Sequence, residues 1–180
     1  LIVEKYLGPA SAGLLSFVIR TCFAPINTIG STIGSILHHR FAELYRKERV
    51  QIVILLKKVS RYLIGLSILL GFSIFYLYPF LVNTLFGEEW FGAGTIAQLL
   101  IPMFSSMLLV SPITVLFYVF GATKHELLNQ GVYVAISILS FGLLAFDFTL
   151  TEVVSIFAWL VFLRYFLVYS YLYRRAYLLK

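Results

Sequence analysis

The sequence predicts an all-α membrane protein with five transmembrane helices, and three observations carry that prediction. Of its 180 residues 61% are hydrophobic and only 12% charged, and the mean hydropathy is +0.94, whereas an average soluble domain is roughly 45–50% apolar. The apolar residues fall into five runs, each long enough to supply the about 20 residues that a crossing needs. The runs are continuous, while a membrane barrel shows segments of about 10 residues with alternating polarity.

The first span is expected over 9–37 and the second over 62–86. Between them, 38–61 is the most polar part of the chain and is expected as a basic cytoplasmic loop. Within it, 50–59 is amphipathic enough to lie along the interface, with Ile52, Val53, Leu55 and Leu56 among the headgroups and Lys57 and Lys58 near anionic lipid. The same stretch could instead begin a long, tilted second helix. The third span covers 95–120, where Pro102 and Pro112 predict a bend, because each proline deletes a backbone donor and its ring clashes with the preceding turn. Pro25 and Pro79 bend the first two spans in the same way. The fourth and fifth spans, 127–146 and 150–173, are joined only by Asp147-Phe148-Thr149 and must be antiparallel neighbours.

Orientation follows from the basic residues, since Lys and Arg in short loops are retained on the cytoplasmic side. Eleven of the 14 fall on one side: Arg40, Arg46, Lys47, Arg49, Lys57, Lys58 and Arg61, then Lys124, then Arg174, Arg175 and Lys180. The opposite loops carry Lys5 with Glu4, Glu88, Glu89, Asp147 and Glu152. Five crossings then place Leu1 outside and Lys180 in the cytoplasm. The formal charge of +6 is topology, and nucleic-acid binding is not expected. The chain starts without Met or a leader-like pattern, so it is expected to be a piece of a longer protein. Cys22, the only cysteine, reads as a small packing residue.

Chemistry has to be sought inside the membrane, where an ionisable side chain is costly enough to count as a candidate. Arg20 lies near the middle of the first span. At helical spacing it shares a face with Gly13, Ser16, Ala24, Asn27, Ser31 and Gly34 or Ser35, a small and polar stripe on an otherwise apolar helix. That stripe is expected to line a hydrated cavity. The alternative is a helix-packing face, helped by the Gly30-x-x-x-Gly34 spacing, but packing does not require a guanidinium. Arg164 sits on a largely apolar face with Phe157, Leu160, Val161, Val168 and Tyr171, and both cavity lining and snorkelling toward the headgroups are open. The fourth helix adds Gln130, Tyr133, Ser137 and Ser140 at three- to four-residue spacing, for packing or for pore lining.

Apart from Glu152, at the outer edge of the fifth span, no Asp or Glu falls within the five predicted spans, so any ion-coupling carboxylate is expected elsewhere. His38 and His39 are adjacent and point about 100° apart on a helix, unlike the i, i+4 pair that grips zinc. With no phosphate loop, nucleophile motif or acidic cluster, neither an enzyme nor a metal or organic cofactor is expected.

Several segments carry a resemblance. Glu4-Lys5-Tyr6-Leu7-Gly8-Pro9 followed by Ala12-Gly13, the run through Ala24-Pro25 to Ile29-Gly30-Ser31, Arg40-Phe41-Ala42-Glu43-Leu44, and Leu85-Phe86-Gly87-Glu88-Glu89-Trp90 with Ala93-Gly94 and a helix bearing Leu100, Ile101 and Pro102 resemble the later half of bacterial polysaccharide flippases. These belong to the multidrug/oligosaccharidyl-lipid/polysaccharide exporter superfamily. The resemblance covers nearly the whole chain and rests on turn residues and helix ends.

It implies most of the second lobe of a two-lobe transporter of 12 to 14 helices, in the bacterial cytoplasmic membrane. Such a protein flips an undecaprenyl-pyrophosphate-linked oligosaccharide by alternating access in polysaccharide or O-antigen biosynthesis. On this reading Arg20 contacts the anionic headgroup, since an Arg fork matches phosphate oxygens. Ser16, Asn27 and Ser31 line the cavity, and Gln130, Tyr133 and Arg164 are further candidates. The implied partners are the lipid-linked oligosaccharide, membrane lipid, the missing N-terminal lobe and polysaccharide biosynthesis proteins. An ion-coupled multidrug extruder and a non-transporting membrane scaffold are the alternatives.

Overall fold

The computed structural model describes residues 2–178; Leu1 and Lys180, the ends by which the charge pattern orients the chain, lie outside the described residues. All regular structure among the described residues is helical, and five helices are long and apolar enough to cross a membrane. The chain is a multi-pass, all-α membrane protein.

The first crossing is nearly continuous from residue 2 to 47. Helix α1 (Ile2–Val18) is interrupted at Gly8, whose φ of 82° suits only glycine at low cost, immediately before Pro9. A π turn (Ile19–Phe23) follows, and then α2 (Ala24–Lys47). The second crossing repeats the plan with α3 (Arg49–Phe72), a π turn (Ser73–Leu77) and α4 (Tyr78–Phe86). Each π turn ends two residues before a proline, Pro25 or Pro79. The reason is steric: a proline has no N–H and its ring clashes with the carbonyl four residues back, so the chain widens by one residue just upstream. Ala24 N–H accordingly bonds Ile19 O, and Tyr78 N–H bonds Ser73 O.

The connection between these crossings is helix rather than loop. Only Glu48, with φ −149° and ψ 74°, separates α2 from α3. Ile52, Val53 and Leu56 are core residues of the bundle, packed with Leu37, Phe41 and Leu44 of α2, and the stretch opens the long second helix. An amphipathic segment adjoining a long helix buries more apolar area by continuing that helix against its neighbour than by lying flat. Lys57 and Lys58 remain exposed.

After α4, a short 3₁₀ turn (Glu88–Trp90) leads into α5 (Phe91–Leu99), α6 (Ile101–Val110), a second 3₁₀ turn (Ser111–Ile113) and α7 (Leu116–Val119). The expected bend is present twice, at Leu100 before Pro102 and at the turn that holds Pro112. This crossing is the centre of the bundle: 56% of its most apolar stretch is buried within the protein, against 17% for the first and second crossings. Close approach to α4 depends on Gly94, where an added Cβ would lie 3.0 Å from Pro79 Cβ and 3.2 Å from its Cα.

Helices α8 (Thr123–Gly142) and α9 (Leu150–Tyr177) form the antiparallel pair expected from their short connection. A 3₁₀ turn (Leu143–Phe146) and Asp147, in the left-handed region at φ 63°, reverse the chain. Thr149 then caps α9: its hydroxyl accepts from Glu152 N–H while Glu152 carboxylate accepts from Thr149 N–H at 2.9 Å. Two large clusters fill the interior, one around α5, α6 and the first π turn and the other around the facing ends of α2 and α3 with α7 and α9.

Candidate functional site

The stripe on the first crossing divides when placed in three dimensions. Gly30 and Gly34 are buried against the turn that holds Pro112: a Cβ at Gly30 would lie 3.4 Å from Ser111 Oγ, and one at Gly34 would lie 3.5 Å from Pro112 Cα. The glycines are therefore the packing seam. Ser16, Arg20, Asn27, Ser31 and Ser35 are exposed, uncovered by any helix of this chain. Arg20 sits within the π turn and makes no hydrogen bond or ion pair to another described residue.

Most hydroxyls of this face are already used. Thr28 donates to Ala24 O at 3.0 Å, Ser31 and Thr32 to Thr28 O at 3.0 and 2.8 Å, and Ser35 to Ser31 O at 2.9 Å. Ser16, Arg20 and Asn27 are the side chains on this face whose donors are uncommitted among the described residues.

Arg164 has the opposite setting. It is 7% exposed, in the middle of α9 on the apolar face that the sequence showed, which proves to be the face turned into the bundle. Its Nε donates to Asn129 O of α8 at 3.2 Å. Its guanidinium carbon lies 5.1 Å from the centre of the Tyr133 ring and 4.8 Å from that of Tyr165, a double cation–π arrangement. No carboxylate is within ion-pair distance, for the ion pairs of the described residues are Arg40–Glu43 and Lys47–Glu43.

Beside it is a carboxylate that the sequence reading placed outside the spans. Helix α8 starts at Thr123, so Glu126 lies in its first turn, and it is buried at 8% exposure. The fourth span is expected to begin at Leu127, whereas the helix that forms it begins at Thr123 and takes in Glu126. Glu126 accepts from Gln130 Nε2 at 2.6 Å and from Asn129 Nδ2 at 3.3 Å. The Glu-x-x-Asn-Gln spacing, at i, i+3 and i+4, was the available signal. Asn129 and Tyr165 were also missed; both belong to the same network.

Four of the seven sequence candidates meet at one cavity of about 190 Å³: Asn27 from α2, Gln130 and Tyr133 from α8, and Arg164 from α9. Ser111 and Thr114 complete its polar wall and also border a second, wider space of about 440 Å³ that takes in Ser31, Ser35, His38 and His39. The two spaces together follow the polar side of α2 from Asn27 to its histidine end. Ser16 and Arg20 lie upstream of both, on α1 and in the π turn.

Ser137 of the fourth-helix series donates to Tyr133 O at 2.9 Å, and Ser140 is buried with no partner for its hydroxyl among the described residues. Among the described residues no three His, Cys, Asp or Glu side chains come together to hold a metal. The arrangement suits recognition of a negatively charged or hydroxyl-rich group and offers no nucleophile beside a base. No protein-family model, curated protein or solved structure matches the chain.

Proposed function

We propose that this chain is the greater part of one lobe of a flippase that carries an undecaprenyl-pyrophosphate-linked oligosaccharide across the bacterial cytoplasmic membrane by alternating access, with its C-terminal end in the cytoplasm. The observation that carries the reading is the uncovered polar face of the first crossing, Ser16, Arg20, Asn27 and Ser31, continued by two polar-walled spaces along α2. A guanidinium without a partner is costly against lipid, so this face has to meet water, an anionic substrate or a second lobe. A pyrophosphate headgroup satisfies it, because an Arg fork pairs two phosphate oxygens in a low-dielectric setting. The resemblance in the turn and helix-end segments supports the same substrate class, and it implies the N-terminal lobe and polysaccharide biosynthesis proteins as partners.

Arg20→Ala in the full-length protein is expected to abolish glycan export while leaving its level in the membrane unchanged. Unchanged export removes Arg20 from the mechanism. Single cysteines at Ser16, Arg20, Asn27 and Ser31, with Cys22 replaced, are expected to react with water-soluble thiol reagents, whereas Val18, which is fully buried, stays protected. Uniform protection makes the face a seam between proteins and favours the scaffold.

Glu126 favours a second reading, an ion-coupled extruder, because a buried membrane carboxylate is the usual seat of ion coupling. Its two oxygens are already engaged by Asn129 and Gln130, which leaves the carboxylate less open to an ion. Efflux of lipophilic cations that is lost in Glu126→Gln would establish that reading.

A further inference from the structure

We infer that the cavity between α2, α6, α8 and α9 is a binding site for a phosphate-type oxyanion, held by the guanidinium of Arg164. The inference does not depend on flippase activity, and it concerns a different arginine from the one assigned to the headgroup.

Arginine has five N–H donors in a rigid fork. Nε of Arg164 is spoken for, by Asn129 O at 3.2 Å. Of the four N–H groups at the end of the fork, the Tyr165 hydroxyl can accept from one, which leaves the rest without a protein acceptor among the described residues, although the side chain is more than nine-tenths buried. The position of the fork is fixed by Tyr133 and Tyr165, whose rings flank it at 5.1 and 4.8 Å and both line the cavity of about 190 Å³. A buried charge with unmet donors is stable only when something in the adjoining space accepts from it.

The nearest acidic group, Glu126, does not supply that acceptor. Its oxygens take the amides of Gln130 and Asn129, and it makes no ion pair with Arg164. It instead holds the two amides in place and fixes the stretch of α8 from which Asn129 O meets Arg164. The rest of the wall is apolar at Phe23, Met103, Met107 and Val161 and polar at Asn27, Gln130, Ser111 and Thr114, with no carboxylate. At about 30 Å³ per water, the space equals about six waters, enough for a tetrahedral oxyanion and part of its hydration. Asn27 and Gln130 border the cavity and are both exposed, so they mark its open side. A planar, bidentate fork selects phosphate-type oxygens over a spherical halide.

Thermal unfolding of the purified protein in nanodiscs, followed through Trp90 and Trp159, tests the site. One arm titrates inorganic phosphate in phosphatidylcholine discs against chloride at equal ionic strength; the other replaces phosphatidylcholine stepwise with phosphatidic acid and omits soluble phosphate. A saturable rise in Tm is expected in at least one arm, since a ligand bound only by the folded state stabilises it by mass action. A response to inorganic phosphate alone identifies a soluble anion, and a response to phosphatidic acid identifies a lipid headgroup. Arg164→Gln is expected to weaken the response roughly 100-fold and Arg164→Lys roughly 10-fold, from the loss of two charge-assisted bonds or of their fork geometry. No rise in either arm overturns the inference, as does an undiminished rise in Arg164→Gln. Where Arg164→Gln does not fold, Asn27→Phe decides: its ring takes up part of the cavity's volume and narrows its open side, the response is expected to weaken, and a wild-type response in that variant also overturns the site.

Discussion

The two broken crossings at the start of the chain and the straight α8–α9 hairpin use their polar side chains differently. In the broken pair, polar groups serve the backbone. Pro79 leaves Phe75 O without its helical donor, and Gln98 Nε2 supplies one at 2.8 Å; the two π turns are joined by Thr21 and Tyr78, whose hydroxyls lie 2.6 Å apart. In the hairpin no proline breaks the helices, and polar groups tie one helix to the other: Glu126 holds Asn129 and Gln130 along α8, while Arg164 of α9 donates to Asn129 O and lies over Tyr133. In hydrocarbon every polar group must find a partner. The groups left over after backbone repair and mutual pairing are therefore those that await something else, and two arginines fall in that set for different reasons. Arg20 is uncovered, whereas Arg164 is enclosed with its fork only partly filled.

The sharpest way to break this comparison is to truncate both. Arg164→Ala removes the donor to Asn129 O, both ring contacts and the volume of a long buried side chain, and it is expected to cost about 2–4 kcal/mol. Arg20→Ala removes no protein contact and is expected to fall within about 0.5 kcal/mol of wild type, although it eliminates export. Chemical denaturation in mixed micelles reads both. Equal losses, or a stable Arg164→Ala protein, would mean that the hairpin network is not structural and that enclosure alone does not distinguish the two sites.

An intermediate effect isolates the repaired break. Gln98→Leu strands Phe75 O beside Pro79 and is expected to cost about 1–2 kcal/mol, the desolvation of one unmet carbonyl. Pro79→Ala returns a backbone N–H at the position that can reach that carbonyl, so in its background Gln98→Leu is expected to cost under about 0.5 kcal/mol. The double-mutant cycle should then show coupling of about 1 kcal/mol. Additive effects would mean that the π turn persists without the proline and that the side chain caps something other than the break.

The helical class, the number of crossings and the hairpin were legible in the sequence because length and continuity of apolar runs report directly on membrane helices. The bends were legible as prolines, but their form was not: a proline predicts a lost bond, while the π turn upstream depends on how neighbouring helices accept the widened coil. The segment 38–61 misled because its charges resemble a loop, and only the pairing of Ile52, Val53 and Leu56 with Phe41 and Leu44 shows two helices running on past the apolar zone. For the site, the polar face around Arg20 followed from 3.6-residue periodicity on one helix. The Arg164 network did not, because half of it sits on α8, and Glu126 lies one residue before the hydropathic edge of the predicted span. Single-helix periodicity carries no information about which face meets which, so Arg164 on an apolar stripe looked like a snorkelling side chain when it was a buried one.

The smallest expected effect tests the contact between the two bends. Thr21 Oγ1 donates to Phe17 O at 2.8 Å, so its proton is committed within the first helix, and Tyr78 is then the donor across the 2.6 Å contact. On that assignment Tyr78→Phe removes the bond outright and is expected to cost about 0.5–1 kcal/mol, near the average for interhelical hydrogen bonds in membranes. Thr21→Val leaves the Tyr78 hydroxyl only the Cys22 sulfur, a weak acceptor, and is expected to cost about as much, and the double variant no more than the worse single one. Rates of export provide the second reading of the same variants. If the two bends move as one hinge, uncoupling them should change export by several-fold while stability shifts by under about 1 kcal/mol. If export follows stability alone, the contact is packing, and the broken crossings differ from the hairpin only in how they satisfy their backbone.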